Sequence, residues 1–212
     1  MDAGEDVAGE TERFWEARYL EKDRIWSGKV NAVMAGIVGG LPAGRALDLG
    51  CGEGGDAVWL AQQGWTVTAV DVSQVALDRA EAHAAELGLA GITWERHDLA
   101  ASFPAGPFDL VSAQFLQSPI EFPRVQVLRR ATAALAPGGR LLSISHAAFP
   151  PWSKHAHHDV VFPTPEEELE ALDLDPRGWV VERCEVVERE GTGPDGEAGT
   201  LFDAVILVRC LQ

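Results

Sequence analysis

Between residues 45 and 146 the chain alternates two apolar patterns. Short runs rich in Val, Leu, Ala and Ile occur at 45–49, 66–71, 108–114 and 139–146, with Ile92-Thr93-Trp94-Glu95-Arg96 between them, and all have the length of β-strands. Between them, apolar residues recur at helical spacing over 54–63, 73–87 and 123–135, with Ala57, Leu60 and Ala61 on one face of the first. Runs with few polar interruptions suit strands buried on both faces, so the alternation predicts a parallel sheet with helices on each side. Pro137-Gly138-Gly139 is expected to stop the helix before it.

The flanks differ from this core. Residues 11–25 predict a helix, with Phe14, Trp15, Arg18 and Tyr19 at helical spacing, and Trp26-Ser27-Gly28 interrupts it. A second helix is predicted over 29–39, before a turn at Leu41-Pro42-Ala43-Gly44. Residues 1–40 therefore read as a helical cap on a domain spanning 41–212, one domain overall. Near the other end, Thr164-Pro165-Glu166-Glu167 is a capping box with proline at the first helical position, opening a short helix to about Leu172. Two strand-like runs, 179–190 and 200–211, flank a glycine-rich loop at 191–199 and predict an antiparallel hairpin. The fold class is thus α/β, doubly wound and mostly parallel, closed by a C-terminal hairpin.

Composition narrows the classes. A 212-residue chain that is 46% hydrophobic suits one domain with a full core. No run approaches about 18 apolar residues, so no membrane span is expected. The acidic opening lacks the basic and apolar regions of a signal peptide, and a cytoplasmic location is the expectation. Three scattered cysteines, Cys51, Cys184 and Cys210, fit a reducing compartment better than a disulfide framework. A net charge of −16 repels phosphate backbones and disfavours a nucleic-acid partner. A monomer and a homodimer are equally compatible with the chain.

The most informative stretch is Asp48-Leu49-Gly50-Cys51-Gly52-Glu53-Gly54-Gly55, where a predicted strand runs into a helix. Glycines there let the backbone approach a ligand. Asp71, at the end of the next strand, can accept both hydroxyls of a ribose. Gly50, Gly52 and Gly55 also satisfy the dinucleotide fingerprint, but that loop receives a pyrophosphate at a helix N-terminus. Carboxylates at Asp48 and Glu53 would repel a pyrophosphate and favour an ammonium group. Cys51, between two glycines, reads as a small residue lining the pocket, with a nucleophilic role as the alternative.

The loop, followed by Val70-Asp71-Val72-Ser73, Asp98-Leu99, Phe108-Asp109-Leu110-Val111 and Leu135-Ala136-Pro137-Gly138-Gly139-Arg140-Leu141, resembles the class I S-adenosylmethionine-dependent methyltransferases in order and spacing. The likeness covers roughly residues 43–146. The opening, Phe14 to Tyr19 through Trp26-Ser27-Gly28, resembles the small stand-alone branch that includes tellurite-resistance and thiopurine methyltransferase-like proteins. The resemblance implies a Rossmann-like sheet of seven strands and S-adenosyl-L-methionine as cofactor. It implies that Gly50, Gly52 and Gly54 line the methionine part, with Asp48 near its amino group and Gln114 beside it. Asp71 would hold the ribose, Val72 would pack on adenine, and Asp98 and Leu99 would bond the adenine edge. Trp15, Arg18 and Trp26 would close over the cofactor, with Arg18 pairing its carboxylate.

Methyl transfer requires alignment of nucleophile and methyl group, and a base only where the nucleophile carries a proton. Substrate is expected beyond the carboxyl ends of the strands. Many relatives carry Leu-His-x-Pro after the fourth strand; here it is Leu116-Gln117-Ser118-Pro119, so Gln117 can orient but not titrate. His146, at the end of the fifth strand, is the nearer candidate base. Four of six histidines fall between His146 and Asp159. His155, His157 and Asp159 could bind a metal, supply a base, or be solvated loop residues beside a lid in which Phe149 and Trp152 form an apolar wall. The expected function is methylation of a small-molecule thiol, metalloid or other heteroatom nucleophile. A non-catalytic cofactor- or metalloid-binding protein and a nicotinamide-dependent oxidoreductase are the alternatives.

Overall fold

The computed structural model describes residues 3–153 and 161–212. The strands are β1 Arg45–Leu49, β2 Thr66–Asp71, β3 Ile92–Arg96, β4 Phe108–Gln114, β5 Leu135–His146, β6 Trp179–Thr192 and β7 Ala198–Cys210. They form one sheet in the order β3-β2-β1-β4-β5-β7-β6. The first five are parallel, and β7 runs antiparallel to both β5 and β6. This is the expected doubly wound sheet closed by a hairpin, with seven strands.

The alternation of strand side chains explains the two-sided core. Leu47, Leu49, Val111, Leu141 and Val208 point to one face, where helix α5 (Arg124–Ala133) packs through Val127, Leu128 and Ala131. Ala46, Val67, Leu110, Leu142 and Val205 point to the other, against Met34 and Val38 of α2 (Ala32–Val38) and Ala57 and Leu60 of α3 (Gly55–Gln62). The edge strand β6 is half exposed and charged instead. There Glu182 accepts from Arg140 of β5 and Arg209 of β7, a row of ion pairs that suits an exposed edge.

Element boundaries moved in four places. The first helix, α1, spans Ala3–Leu20 rather than 11–25, and α2 begins only at Ala32, where Asn31 caps it by accepting from the Val33 and Met34 amides. Residues 21–31 are thus a longer connection than expected. Strand β5 begins at Leu135 and contains Pro137-Gly138-Gly139. Its register with β4 shifts between Phe108 and Leu110, so the breaker is an irregularity within a strand. Gly139 is required there, because a Cβ would stand 2.7 Å from the Phe108 carbonyl oxygen. The hairpin strands run on to Thr192 and Ala198, which leaves only residues 193–197 as the loop. Helix α4 (Gln74–Glu86) is capped by Ser73, and α6 (Pro165–Ala171) carries the predicted Thr164–Glu167 capping box.

Candidate functional site

The carboxyl ends of β1, β2 and β4 open into a cavity of about 660 Å³, roofed by α1 and by residues 26–32. The glycine loop forms its floor. Gly50 and Gly52 line it at φ of 67° and 53°, a conformation that other residues adopt rarely. A Cβ on Gly50 would meet Leu116 at 2.6 Å, and one on Gly52 would meet the Tyr19 hydroxyl at 2.9 Å. The loop is tied to β2, since the Gly52 amide donates to Asp71 Oδ2 (2.9 Å) while Asp71 Oδ1 accepts from the Ser73 amide.

Trp15, Trp26, Cys51, Asp71, Val72, Asp98, Leu99, Gln114, Gln117 and His146 also line the cavity, together with the two glycines. Three expected residues do not. Arg18 is half exposed and paired with Glu21, so its guanidinium is committed on the outside of α1. Gly54 caps α3, and its Cα faces Ala80 and Trp94; Gly55 lines the cavity in its place. Asp48 is buried just below the lining side chains. The expected Phe149 and Trp152 wall is also turned elsewhere, with Phe149 against Phe162 and Trp152 over Gly191 and Gly199. His155, His157, His158 and Asp159 lie outside the described residues.

Electrostatics are dominated by carboxylates. Burial, reinforced by the neighbouring Asp56 and Asp71 charges, pushes the Asp48 carboxyl well above the usual range. Burial pushes Asp56 up to about 6, partly offset by the Asn31 amide that it accepts at 2.7 Å. Asp71 is also raised by burial, and the amides it accepts hold that rise down. Glu53 behaves differently. It ion-pairs with Arg79 (3.0 Å) and accepts from the Ile25 and Trp26 amides, so it anchors the roof. Asp56, in the first turn of α3, is a further acid beside the loop, and both it and Glu53 line the cavity. Burial and the Asp71 and Asp48 charges push the Cys51 thiol up, which opposes a thiolate and leaves Cys51 as a small lining residue.

Three buried oxygens here have no partner among the described residues: Asp48 Oδ2, Asp98 Oδ2 and Gln114 Oε1. Asp98 uses its other oxygen on the Ala100 amide, and the Gln114 amide nitrogen donates to Ser112. Orphaned acceptors cost free energy unless a ligand donates to them. Acceptors at the ends of β1, β3 and β4, with Asp71 between, fit a ligand rich in hydroxyl and amino donors and oppose a pyrophosphate. The residues present therefore suit S-adenosylmethionine.

Beyond Gln114 the cavity changes character. Phe115 adopts φ 51°, in the left-handed region, and its ring stacks on His146 with centroids 4.4 Å apart. Gln117 Oε1 accepts from the His146 amide (3.1 Å), so Gln117 pins its loop to β5. Burial lowers the His146 pKa and Arg189 adds to this, while Asp203 opposes it. Its imidazole is accordingly neutral at pH 7, the form that can accept a proton. Asn31, Asp56, His97, Phe122 and Arg189 line the cavity without having been singled out from the sequence. Asp56 carried a readable signal, an acid one turn into the helix after the glycines. Arg189 carried none, because hairpin register decides where it points.

Residues 46–139 match a family model described as a methyltransferase domain. Among similar proteins, 2-heptyl-1-hydroxyquinolin-4(1H)-one methyltransferase of Mycobacteroides abscessus is 32% identical over 145 residues, covering 66% of this chain and 60% of that protein. Probable thiol methyltransferase 2 of Arabidopsis thaliana is 34% identical over 145 residues, 66% of this chain and 62% of that one. The chain thus spans under two thirds of the length of either relative. The structure of the N-methyltransferase NodS from Bradyrhizobium japonicum WM9, in complex with S-adenosyl-L-homocysteine, superposes with a TM-score of 0.68 at 19% identity, covering 95% of this chain and 100% of that one. The matched segment contains the glycine loop, Asp71 and Asp98, and the sheet order is that of the expected fold; residues 46–139 of this chain are thus similar to a methyltransferase domain, on a fold shared with the N-methyltransferase NodS.

Proposed function

We propose that this protein methylates a small-molecule nucleophile, with a thiol or an acidic hydroxyl as the preferred acceptor. The observation that supports it most is the pair of orphaned buried acceptors along one cavity, Asp98 Oδ2 and Gln114 Oε1, with Asp48 Oδ2 buried beneath the lining, leading to the half-buried His146. When bound, S-adenosylmethionine supplies a methyl group activated by its sulfonium.

This chain's residues would divide the work by position. Asp71 accepts the ribose hydroxyls, and Asp98, Val72 and Leu99 enclose the adenine. Asp48 and Asp56 face the amino group, whose positive charge favours their ionised forms. Gln114 lies beside the methionine part, and Trp15 and Trp26 exclude water from above. The Trp26 side chain is held for this by its Nε1–H bond to the Tyr19 hydroxyl (3.1 Å). At the acceptor end His146 can take a proton from a protonated nucleophile, and Gln117 fixes the backbone beneath it.

The names of the two relatives, one acting on a hydroxyquinolone and one called a probable thiol methyltransferase, support oxygen or sulfur as the attacking atom. A cavity of about 660 Å³ is within the usual range of small-molecule sites. A screen of thiols, phenols, amines and metalloid oxyanions, scored by S-adenosylhomocysteine release, checks the reading. Turnover is expected with thiols or acidic hydroxyls and abolished by heat-inactivating the protein. Release with none of these acceptors, from protein that binds the cofactor, would contradict it.

A further inference from the structure

Two cationic side chains line the cavity among the described residues, Lys29 and Arg189. Lys29 belongs to the roof, where its carbonyl abuts Gly55. Arg189 is at the far end and comes from the hairpin. Strand register explains how. His146 of β5 pairs with Asp203 of β7, Asp203 pairs with Val187 of β6, and Arg189 is two residues beyond Val187. Side chains in such a row share one face of a sheet. Arg189 therefore reaches back across β7 to the end of β5, and its guanidinium sits 5.8 Å from the centre of the Phe115 ring that stacks on His146.

Asp203 holds this arginine in place. Its carboxylate, with no exposed surface, accepts from Arg189 Nε and, at 3.4 Å, from Nη2. One edge of the guanidinium fork is thereby used. Nη1 has no hydrogen-bond partner among the described residues, and Arg189 borders the cavity. The result is a fixed donor edge, oriented in advance and so costing little conformational entropy when it engages a ligand. Everything else charged at the ligand-binding floor is acidic, so the cavity is polarised from Glu53, Asp56, Asp71 and Asp98 at one end to Arg189 at the other.

We propose that Arg189 is the acceptor-recognition residue of this site, and that the acceptor is a small aromatic anion, an ionised thiol or acidic hydroxyl, held by the free edge of Arg189 against Phe115. The proposal rests on the methyltransferase reading above and names its substrate class. Arg189 binds and orients the anion. It also favours the ionised form of a weakly acidic acceptor, because an opposite charge nearby stabilises that form. The acidic floor does the opposite and keeps the anion away from the carboxylates that would hold the cofactor.

The test is a calorimetric titration of protein saturated with S-adenosylhomocysteine, using 4-nitrothiophenol, ionised at neutral pH, and 4-nitroaniline, which is neutral. Wild type is expected to bind the thiolate about tenfold more tightly or better, the magnitude of one charge-assisted hydrogen bond. Arg189→Gln alone would leave Asp203 without its cation, so the informative variant is Arg189→Gln/Asp203→Asn, which removes both charges. It is expected to bind S-adenosylhomocysteine as wild type does and to hold the two probes within about twofold of each other, the anion having lost that one hydrogen bond. Arg189→Lys should retain part of the preference. A double variant that keeps the full preference, or a wild type that binds neither probe or prefers the aniline, overturns the proposal. Failure of wild type to bind S-adenosylhomocysteine overturns the methyltransferase reading instead.

Discussion

Asp71→Ala is expected to weaken S-adenosylmethionine binding by at least about 100-fold while leaving a folded protein. A hydrogen bond to a charged group contributes about 1.5–3 kcal/mol, and two ribose hydroxyls would donate to this carboxylate. At about 1.4 kcal/mol per factor of ten, the loss is about two to four orders of magnitude. Asp71 also accepts from the Gly52 and Ser73 amides, so the truncation loosens the glycine loop as well as removing a ligand contact. The fold should survive because Asp71 ends β2 and the strand's core contacts come from Val67, Ala69 and Val70. Calorimetry paired with circular dichroism checks both halves. Unchanged affinity would remove Asp71 from the site.

The second large effect concerns stability. Glu168 of α6 is buried, its carboxylate pairs with the Arg124 guanidinium at 2.6 Å, and Ser145 of β5 donates to the same oxygen. Arg124 also donates to Ser143, so two serines of β5 and two helices share one polar cluster. Glu168→Ala is expected to destabilise the protein by about 3–5 kcal/mol, since it strands a buried guanidinium. Replacing both partners, as Arg124→Leu/Glu168→Leu, should cost far less, because the charge and its partner leave together. Urea unfolding of the two variants measures this. A loss below about 1 kcal/mol for Glu168→Ala would show that the pair acts as a surface bridge. The cluster also bears on the site, for Arg124 opens α5 two residues after Phe122, which lines the cavity.

Much of this was legible in the chain. Central strands declare themselves by mostly apolar runs, which is why β1, β2 and β4 fell where the pattern put them. Side-chain caps are local, so Thr164 marked a helix start correctly. Errors came where tertiary contacts override local signals. Pro137-Gly138-Gly139 breaks a helix in isolation, yet pairing of Leu135 with Phe108 carries the strand across it. The glycine-rich stretch at 191–199 looked like an open loop, but Gly191 and Gly199 face each other in the hairpin and accept Trp152 on top. Residue type told which acids sit near the loop but not which are satisfied. Glu53 is paired with Arg79, 26 positions away, and Asp56, not singled out from the sequence, lines the cavity with its carboxyl pushed up by burial. Trp15 and Arg18 shared one helical spacing in the sequence; pairing with Glu21 holds Arg18 on the outside of α1, while Trp15 lines the cavity. Arg189 depended wholly on β6–β7 register.

We propose that acidic acceptors around the glycine loop select an aminated, phosphate-free nucleoside over a dinucleotide. Isothermal titration of the wild-type protein with S-adenosylmethionine and with NAD tests it most directly. The arrangement of Asp48, Asp56, Asp71 and Asp98 predicts saturable binding of S-adenosylmethionine and no heat with NAD. Binding of NAD, with no heat from S-adenosylmethionine, would contradict it.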